Sequence, residues 1–172
     1  PQFAHLALIL GQNRKKISKR QGVTSVLQFR DEGYFPLALL NYLALMSWSP
    51  GEEGRVYTVA ELVAKFSLER VYKSSPIFDL VKLQWLNGQI ISQTSAHELE
   101  RSVKEALQKE NLWQDDLEEV QKEWFYKLID LLKQRSRIIM DFAPRARPFL
   151  SDSYPYDPDG VKKHLNHEGL GS

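Results

Sequence analysis

The chain has 172 residues, of which 42% are hydrophobic and 26% charged, and its 23 basic and 22 acidic residues give a formal net charge of +1. This composition excludes disordered, collagen-like and disulfide-stapled chains, and the absence of cysteine excludes thiolate metal sites and a cysteine nucleophile. No apolar run reaches the roughly 20 residues that a membrane-spanning helix needs. We therefore expect a cytoplasmic protein without membrane contact and, because residue 1 is Pro, a piece of a longer chain.

The near-neutral total conceals segments of strong and opposite charge. Residues 1–30 contain basic residues and no acidic one, and residues 98–123 are mainly acidic. A second basic island follows in residues 133–147, with Lys133, Arg135, Arg137, Arg145 and Arg147. Two basic segments separated by an acidic helical face predict two contacts with a polyanion. A solvated helix surface explains the second island equally well.

The first predicted element is a short strand. Residues 3–10 are apolar and end at Gly11, which predicts a strand leading into a polar, basic loop. Pro36 then marks the start of a helix that is apolar nearly all round, and the helix ends before Ser49-Pro50-Gly51.

Capping patterns predict the next helices. Thr58 with Glu61 forms a capping-box pattern, and Asp79 is placed to cap a helix that we expect Asn87-Gly88 to terminate. The capping-box pattern recurs at Ser95 with Glu98 and, in an acidic variant, at Asp116 with Glu119. The first of these opens a helix with an apolar face, and the second opens the longest helix, whose stripe from Trp124 to Leu132 we expect to be core.

The last elements are weaker. Ser136 is placed to cap a short helix, and the prolines of residues 144–158 predict a loop. Asp157-Pro158 is a good start for a final helix. Because period-2 alternation is almost absent beyond residue 30, we expect a mainly α fold with a natural division near residues 93–95.

The sharpest chemical signal is the run Lys16-Ile17-Ser18-Lys19-Arg20. Two lysines and an arginine within five residues, with no acidic residue nearby, form a compact clamp for a polyphosphate. Lysine can follow a phosphoryl group as a mobile point charge, and backbone N–H groups and the Ser18 hydroxyl can bind the same anion. On composition alone, a basic loop or a localisation-like cluster is the simpler interpretation.

The flanking residues support the chemical interpretation. The run resembles the KMSKS signature of class I aminoacyl-tRNA synthetases, in the KLSKR form of glutamyl-tRNA synthetases. Further landmarks of the bacterial-type family are Leu8-Ile9-Leu10-Gly11, Asn41-Tyr42-Leu43-Ala44-Leu45, Trp48-Ser49-Pro50 and Trp85-Leu86-Asn87-Gly88. The resemblance is specific from residue 3 to about residue 91 and rests on the helical pattern after residue 95.

The resemblance implies a function and a domain plan. Residues 1–24 would end a catalytic domain, residues 25–94 would form a helical stem-contact region, and residues 95–172 would begin a helical-bundle anticodon-binding domain. The whole enzyme would be a glutamate–tRNA ligase that takes ATP with Mg²⁺, glutamate and tRNA(Glu), and we expect a monomer. This chain would be inactive alone, because it shows no HIGH-type motif and no glutamate site.

The resemblance also implies roles for single residues. Lys19 would stabilise charge on the α-phosphate and the departing pyrophosphate, and Lys16 would assist. Ile17 would lie near the adenine, and Ser18 and Arg20 would complete the ATP loop. In the second island, Arg135, Arg137, Arg145 and Arg147 are the expected contacts to the tRNA backbone.

Three alternatives stay open, and no metal site is expected. Glutaminyl-tRNA synthetase has a β-barrel anticodon domain and a glutamyl-queuosine enzyme has none, so the helices after Ser95 argue against both. A helical interaction module with a basic arm would bind nucleic acid without specificity, and its affinity would fall steeply with salt and ignore ATP. The four histidines are too scattered for a metal site, and without cysteine we expect no zinc.

Overall fold

A computed structural model describes residues 3–17, 25–52, 54–151 and 159. Eight α-helices are described: α1 (Val26–Asp31), α2 (Pro36–Ser47), α3 (Val59–Lys65), α4 (Leu80–Gln93), α5 (Ala96–Lys109), α6 (Asp116–Glu119), α7 (Lys122–Lys133) and α8 (Phe142–Leu150). Two 3-10 turns, Leu68–Arg70 and Ile139–Asp141, complete this part of the chain. The mainly α prediction is confirmed. None of the described helices has both the length and the apolarity to cross a membrane.

Residues 25–93, the first helical region, are built on the packing of α2 against α4. One small core joins Phe29, Tyr34 and Tyr42 to Leu83 and Leu86. A second core is formed by Trp48, Tyr57 and Leu62. The side chain of Asn41 ties the two cores together, because it donates to the Tyr57 carbonyl (2.8 Å) and accepts from the Tyr57 N–H (2.7 Å).

Residues 95–151, the second helical region, surround one continuous apolar core. The capping box predicted at Ser95 and Glu98 is confirmed, and it opens α5 with Leu99, Val103, Ala106 and Leu107 buried on one face. Helix α7 buries Phe125, Leu128, Ile129 and Leu132, while Trp124 and Leu131 of the predicted stripe are exposed. Helix α8 closes the core with Phe142, Ala143, Ala146 and Leu150.

The two regions meet at the middle of α4. The buried Asn87 accepts from the backbone N–H of Phe35 (2.8 Å) and donates to the carbonyl of Arg137 (2.6 Å). Gly33, at a φ of 86°, accepts from the N–H of Ile139 (3.2 Å). A Cβ added at Gly33 would lie 2.5 Å from the Cβ of Ile139, so a residue without a side chain is required at this junction.

This junction corrects one prediction. Asn87-Gly88 does not terminate a helix, because α4 continues through both residues to Gln93. The amide of Asn87 is buried and bonded across the junction instead of capping, and Gly88 leaves room for the side chain of Arg137. The cap predicted at Asp79 is confirmed: its carboxylate accepts from the N–H groups of Val81 and Lys82. The Thr58 and Glu61 capping box is confirmed too.

The acidic capping box at Asp116 is wrong. Asp116 is the first residue of the short helix α6, and α7 begins separately at Lys122. The carboxylate of Asp116 accepts from the side chain of Gln121 (2.7 Å), so it does not cap a long helix. The break between α6 and α7 lets Leu117 and Phe125 both enter the core.

Two predictions about the last described residues are also wrong. The hydroxyl of Ser136 donates back to the Leu132 carbonyl (3.0 Å), and the carboxylate of Asp141 instead accepts from the N–H groups of Arg137 and Ile138. Residues 144–150 are helical in α8, not loop, because the apolar face of α8 packs on the core. A proline in the first turn of a helix needs no helical hydrogen bond, and one further along removes a single bond. The helix predicted at Asp157-Pro158 lies outside the described residues.

The predicted N-terminal strand is reduced to single pairings. Leu10 makes isolated bridges, antiparallel to Lys16 and parallel to Ile77, and Phe3 to Ile9 form no ladder within the described part of the chain. The apolar composition of these residues favours extended backbone, but a strand also needs neighbours, and residues 76–78 offer it one point of pairing.

Candidate functional site

The predicted ATP loop begins as a tight hairpin. The N–H of Gly11 donates to the Lys15 carbonyl and the N–H of Arg14 donates to the Gly11 carbonyl, both at 2.8 Å. Arg14 has a φ of 58°, and the side chain of Asn13 accepts from the N–H of Lys15 (3.0 Å). These bonds turn the chain back on itself, so that Lys16 pairs with Leu10.

The base of this hairpin is fixed to the segment that leads into α4. The N–H of Leu10 donates to the Pro76 carbonyl (2.9 Å), and the Leu10 carbonyl accepts from the N–H of Phe78 (2.7 Å). The side chain of Gln12 donates to the Phe78 carbonyl (2.8 Å). The loop is therefore positioned by backbone bonds to a structured segment of the first helical region.

Tyr42 on α2 contacts the same segment that leads into α4. The N–H of Asp79 donates to the Tyr42 hydroxyl oxygen (2.5 Å), and the Tyr42 ring contacts Phe78 edge to face at 5.3 Å. Burial raises the pKa of Tyr42 to about 12, so this phenol is neutral at physiological pH. The result is a continuous path of contacts from α2 through the start of α4 to the hairpin.

Of the signature residues, the structure describes Lys16 and Ile17, and Lys16 is the more exposed of the two. Lys16 is exposed, and Ile17 is half-buried with its Cγ1 within 3.9 Å of the place that a Cβ at Gly11 would occupy. Ser18, Lys19 and Arg20 lie outside the described residues, and their assignment stays a prediction. The geometry gives Lys16 an exposed charge at the exit of a fixed hairpin.

The second basic island is divided between the turn that follows α7 and helix α8. Arg135 and Arg137 are exposed in the turn between α7 and the 3-10 turn at Ile139–Asp141. The Cδ of Arg137 lies 3.0 Å from the place that a Cβ at Gly88 would occupy, so this side chain rests on α4. Arg137 therefore presents a charge directly at the junction of the two regions.

The other arginines belong to the body of α8. Arg145 is exposed on the face opposite the core. Arg147 is half-buried and its guanidinium lies 3.6 Å from the carboxylate of Glu110. Lys133 is committed elsewhere, because its Nζ contacts Asp130 at 2.6 Å and donates to the Thr94 carbonyl at 3.1 Å. Arg135, Arg137 and Arg145 are thus better placed to contact a phosphate backbone than Arg147 or Lys133.

Two residues that organise this site were not predicted as such. Asn87 holds the turn that carries Arg137, and Gly88 makes the space in which its side chain lies. Both belong to the quoted sequence landmark Trp85-Leu86-Asn87-Gly88. An amide and a glycine next to each other in the middle of a helix were the available signal. Within the described residues, no group of three or more histidine or acidic side chains could hold a metal ion.

Two protein-family models match the chain. Residues 1–85 match the catalytic domain of class I tRNA synthetases (E and Q), and residues 89–170 match an anticodon binding domain. The gap between the two matches, residues 86–88, lies in the middle of α4 and contains Asn87 of the junction.

Curated relatives match over nearly the whole chain. Glutamate--tRNA ligase 2 of Caldicellulosiruptor saccharolyticus is 36% identical over 99% of this chain and 35% of its own length. Glutamate--tRNA ligase of Thermodesulfovibrio yellowstonii is 40% identical over 98% of this chain and 36% of its own length. The chain therefore spans about a third of the length of the relatives it matches.

Solved structures agree with these matches. A glutamate tRNA ligase from Elizabethkingia meningosepticum, crystallised in complex with its amino acid, superposes with a TM-score of 0.77 at 28% identity, over 95% of this chain and 35% of that one. The glutamate-tRNA synthetase of Elizabethkingia anophelis superposes with a TM-score of 0.79 at the same identity and coverage.

Proposed function

The chain belongs to the class I tRNA synthetases of the glutamate and glutamine type, and from this premise we propose that it is part of a glutamate–tRNA ligase. It would supply the loop that closes over ATP and the helices that hold tRNA(Glu). The proposal includes three parts: residues 1–24 as the end of the catalytic domain, residues 25–94 as the stem-contact region, and residues 95–172 as the start of the anticodon-binding domain. We place the enzyme in the cytoplasm.

The proposed reaction has two steps. In the first, a carboxylate oxygen of glutamate attacks the α-phosphorus of ATP, and the bond to pyrophosphate breaks. In the second, a ribose hydroxyl at the 3′ end of the tRNA attacks the carbonyl carbon of glutamyl-adenylate, and AMP leaves as the hydroxyl proton is released. Mg²⁺ would arrive on the phosphate oxygens of ATP and neutralise part of their charge.

The hairpin carries the ATP part of the proposal. Its base is bonded to residues 76–78, just before α4, so Lys16 lies next to a fixed point. A cation held at such a point stabilises charge that develops in a phosphoryl-transfer transition state. Lys19 would act on the α-phosphate and departing pyrophosphate, with Lys16 assisting. Ile17, Ser18 and Arg20 would complete the contact with ATP.

The largest expected loss of activity follows removal of Lys19. We expect Lys19→Ala in the full-length protein to slow glutamate-dependent pyrophosphate exchange about 100-fold or more. Lys15→Ala is the matched control, because Lys15 is exposed, lies just before the signature and contributes only its backbone to the hairpin. Equal exchange rates for Lys19→Ala and wild type would refute the assignment.

The tRNA-binding part of the proposal depends on the arginines of the second basic island. We expect Arg135→Ala, Arg137→Ala and Arg145→Ala each to weaken tRNA(Glu) binding and to lower the slope of log affinity against log salt by roughly one. Arg147→Ala should have a smaller effect, since Glu110 already pairs with Arg147. The control is Arg101→Ala on the acidic face of α5, where the arginine is exposed and paired with Glu105. Identical salt slopes for the control and the three variants would contradict the proposed interface.

A further inference from the structure

A cavity of about 270 Å³ lies between the end of α2 and the first half of α4. This tryptophan cavity has Trp48, Leu45 and Leu86 among its lining residues, together with the turn that follows α2. Tyr72, Lys82 and Trp85 complete its rim. None of the site residues described above lines it.

Trp48 forms part of the wall of this cavity. The residue is 2% exposed, and its indole Nε1 is buried without an acceptor among the residues that the structure describes. The ring is held in place, because the Trp48 N–H donates to the Ala44 carbonyl, the backbone pairs with Val71 and the indole contacts Phe66. Because Nε1 is buried, a ligand in the cavity does not reach it, and Trp48 contributes a fixed wall to the cavity.

Two aromatic side chains offer surface at the rim. Trp85 is 37% exposed and Tyr72 is 47% exposed, although both residue types gain from burial. Tyr72 is fixed by its own N–H, which donates to the Ser47 carbonyl at 2.7 Å. Exposed aromatic faces on a fixed backbone are the usual platforms for unstacked nucleic-acid bases.

The charge at the rim favours an anion. Glu52 also lines the cavity, but its carboxylate lies 3.2 Å from Arg55 and 3.9 Å from Lys65. Arg55 is engaged in addition by Glu61 at 2.8 Å. Lys82 is exposed and makes no ion pair within the described part of the chain, so its charge is available to a phosphate.

We propose that the tryptophan cavity binds one unstacked nucleotide of the bound tRNA. The base stacks on Trp85 and Tyr72, and the phosphate contacts Lys82. The inference rests on the proposed function, because that function supplies the RNA.

The test uses full-length protein labelled with ¹⁵N-tryptophan, with the Trp48 indole signal assigned by its loss in Trp48→Phe. We expect tRNA(Glu) to shift that signal at one equivalent, because a base bound at the rim changes the magnetic environment of the cavity wall, and AMP at the same concentration to leave it in place. Trp85→Ala should weaken tRNA binding about 10-fold. Trp124→Ala is the matched control, since Trp124 is 40% exposed on α7 and lies outside the cavity; it should stay within twofold of wild type.

The outcomes separate this inference from the function on which it rests. If wild type charges tRNA(Glu) but the Trp48 signal does not move, or moves with AMP and not with tRNA, the cavity proposal is wrong and the function stands. Equal losses for Trp85→Ala and Trp124→Ala would also overturn it. If wild type neither binds nor charges tRNA(Glu), the proposed function fails and the cavity proposal fails with it.

Discussion

The two helical regions are stabilised in different ways. In residues 25–93 the cores are small and are supported by buried amides: Asn41 bonds to Tyr57 between the two cores, and Asn87 bonds to Phe35 and, across the junction, to Arg137. In residues 95–151 one apolar core is shared by α5, α7 and α8. The first region therefore depends on a few directed bonds, whereas the second depends on contact area. A region that must hold a loop and a turn in fixed positions gains from directed bonds, because apolar contact alone does not fix orientation.

The largest expected effect on stability tests the apolar side of this comparison. Phe142 is fully buried in the core of the second region, and we expect Phe142→Ala to lower the free energy of unfolding by about 3–5 kcal/mol through lost burial and a residual cavity. Urea unfolding followed by circular dichroism measures it. Phe149→Ala, on the same helix with a side chain 50% exposed, is the control. A loss below about 1 kcal/mol for Phe142→Ala would mean that the second region does not depend on this core.

A smaller effect tests the polar side. Asn87→Ala leaves the N–H of Phe35 and the carbonyl of Arg137 without their partner, and we expect a loss of about 2–3 kcal/mol in the same unfolding measurement. Asn87→Asp keeps the acceptor but places a buried carboxylate oxygen against the Arg137 carbonyl, so it should destabilise at least as much as alanine. Gln93→Ala, at the exposed end of the same helix, should change little. An Asn87→Ala protein as stable as the Gln93→Ala control would remove the basis of the comparison.

The smallest effect compares the two capping boxes. The pKa of Glu61 is lowered to about 2 by the Thr58 N–H and then by the Arg55 guanidinium, and that of Glu98 is lowered by the Ser95 hydroxyl and N–H. A carboxylate with a lowered pKa stabilises the folded state above its ordinary pKa of 4.5 and loses this contribution as the pH falls. We therefore expect the stability difference between wild type and Glu61→Gln to be full at pH 6 and to vanish toward pH 2.

Glu98→Gln provides the matched control for this titration. Among the residues that the structure describes, Glu98 has no arginine partner comparable to Arg55, so its difference from wild type should disappear at a higher pH than that of Glu61. Stability curves from pH 2 to pH 6 give both midpoints. Coincident midpoints would show that Arg55 adds nothing to the first region's capping box.

Local chemistry was predictable from the sequence, and long-range chemistry was not. The caps at Thr58, Asp79 and Ser95 depend on residues two or three positions away, so their patterns identified them. The partners of Asn87 are 52 and 50 positions away, and nothing in the adjacent sequence distinguishes a bridging amide from a helix stop. The same limit applies to Gly33, whose neighbour is Ile139.

Tertiary packing explains the remaining errors. The prolines of α8 predict a loop, but the burial of Phe142, Ala146 and Leu150 outweighs the lost hydrogen bond. In the candidate site, the sequence identified the charges of Lys16 and the arginines but not their support. That support exists only once the chain is folded. It consists of the hydrogen bonds that join Leu10 and Gln12 to residues 76–78, and of the contact between the Arg137 side chain and Gly88.

The junction at α4 also limits how this molecule can be recombined with others. The covalent boundary between the regions, at Thr94, is a simple helix end followed by a new cap. The non-covalent boundary lies elsewhere, in Gly33, Asn87 and residues 137–139. A chimera spliced at residue 94 would take the Arg137 carbonyl that Asn87 binds, and the Ile139 N–H that Gly33 binds, from a different parent. A chimera that keeps both halves folded must therefore take Gly33, Asn87 and residues 137–139 from the same parent protein.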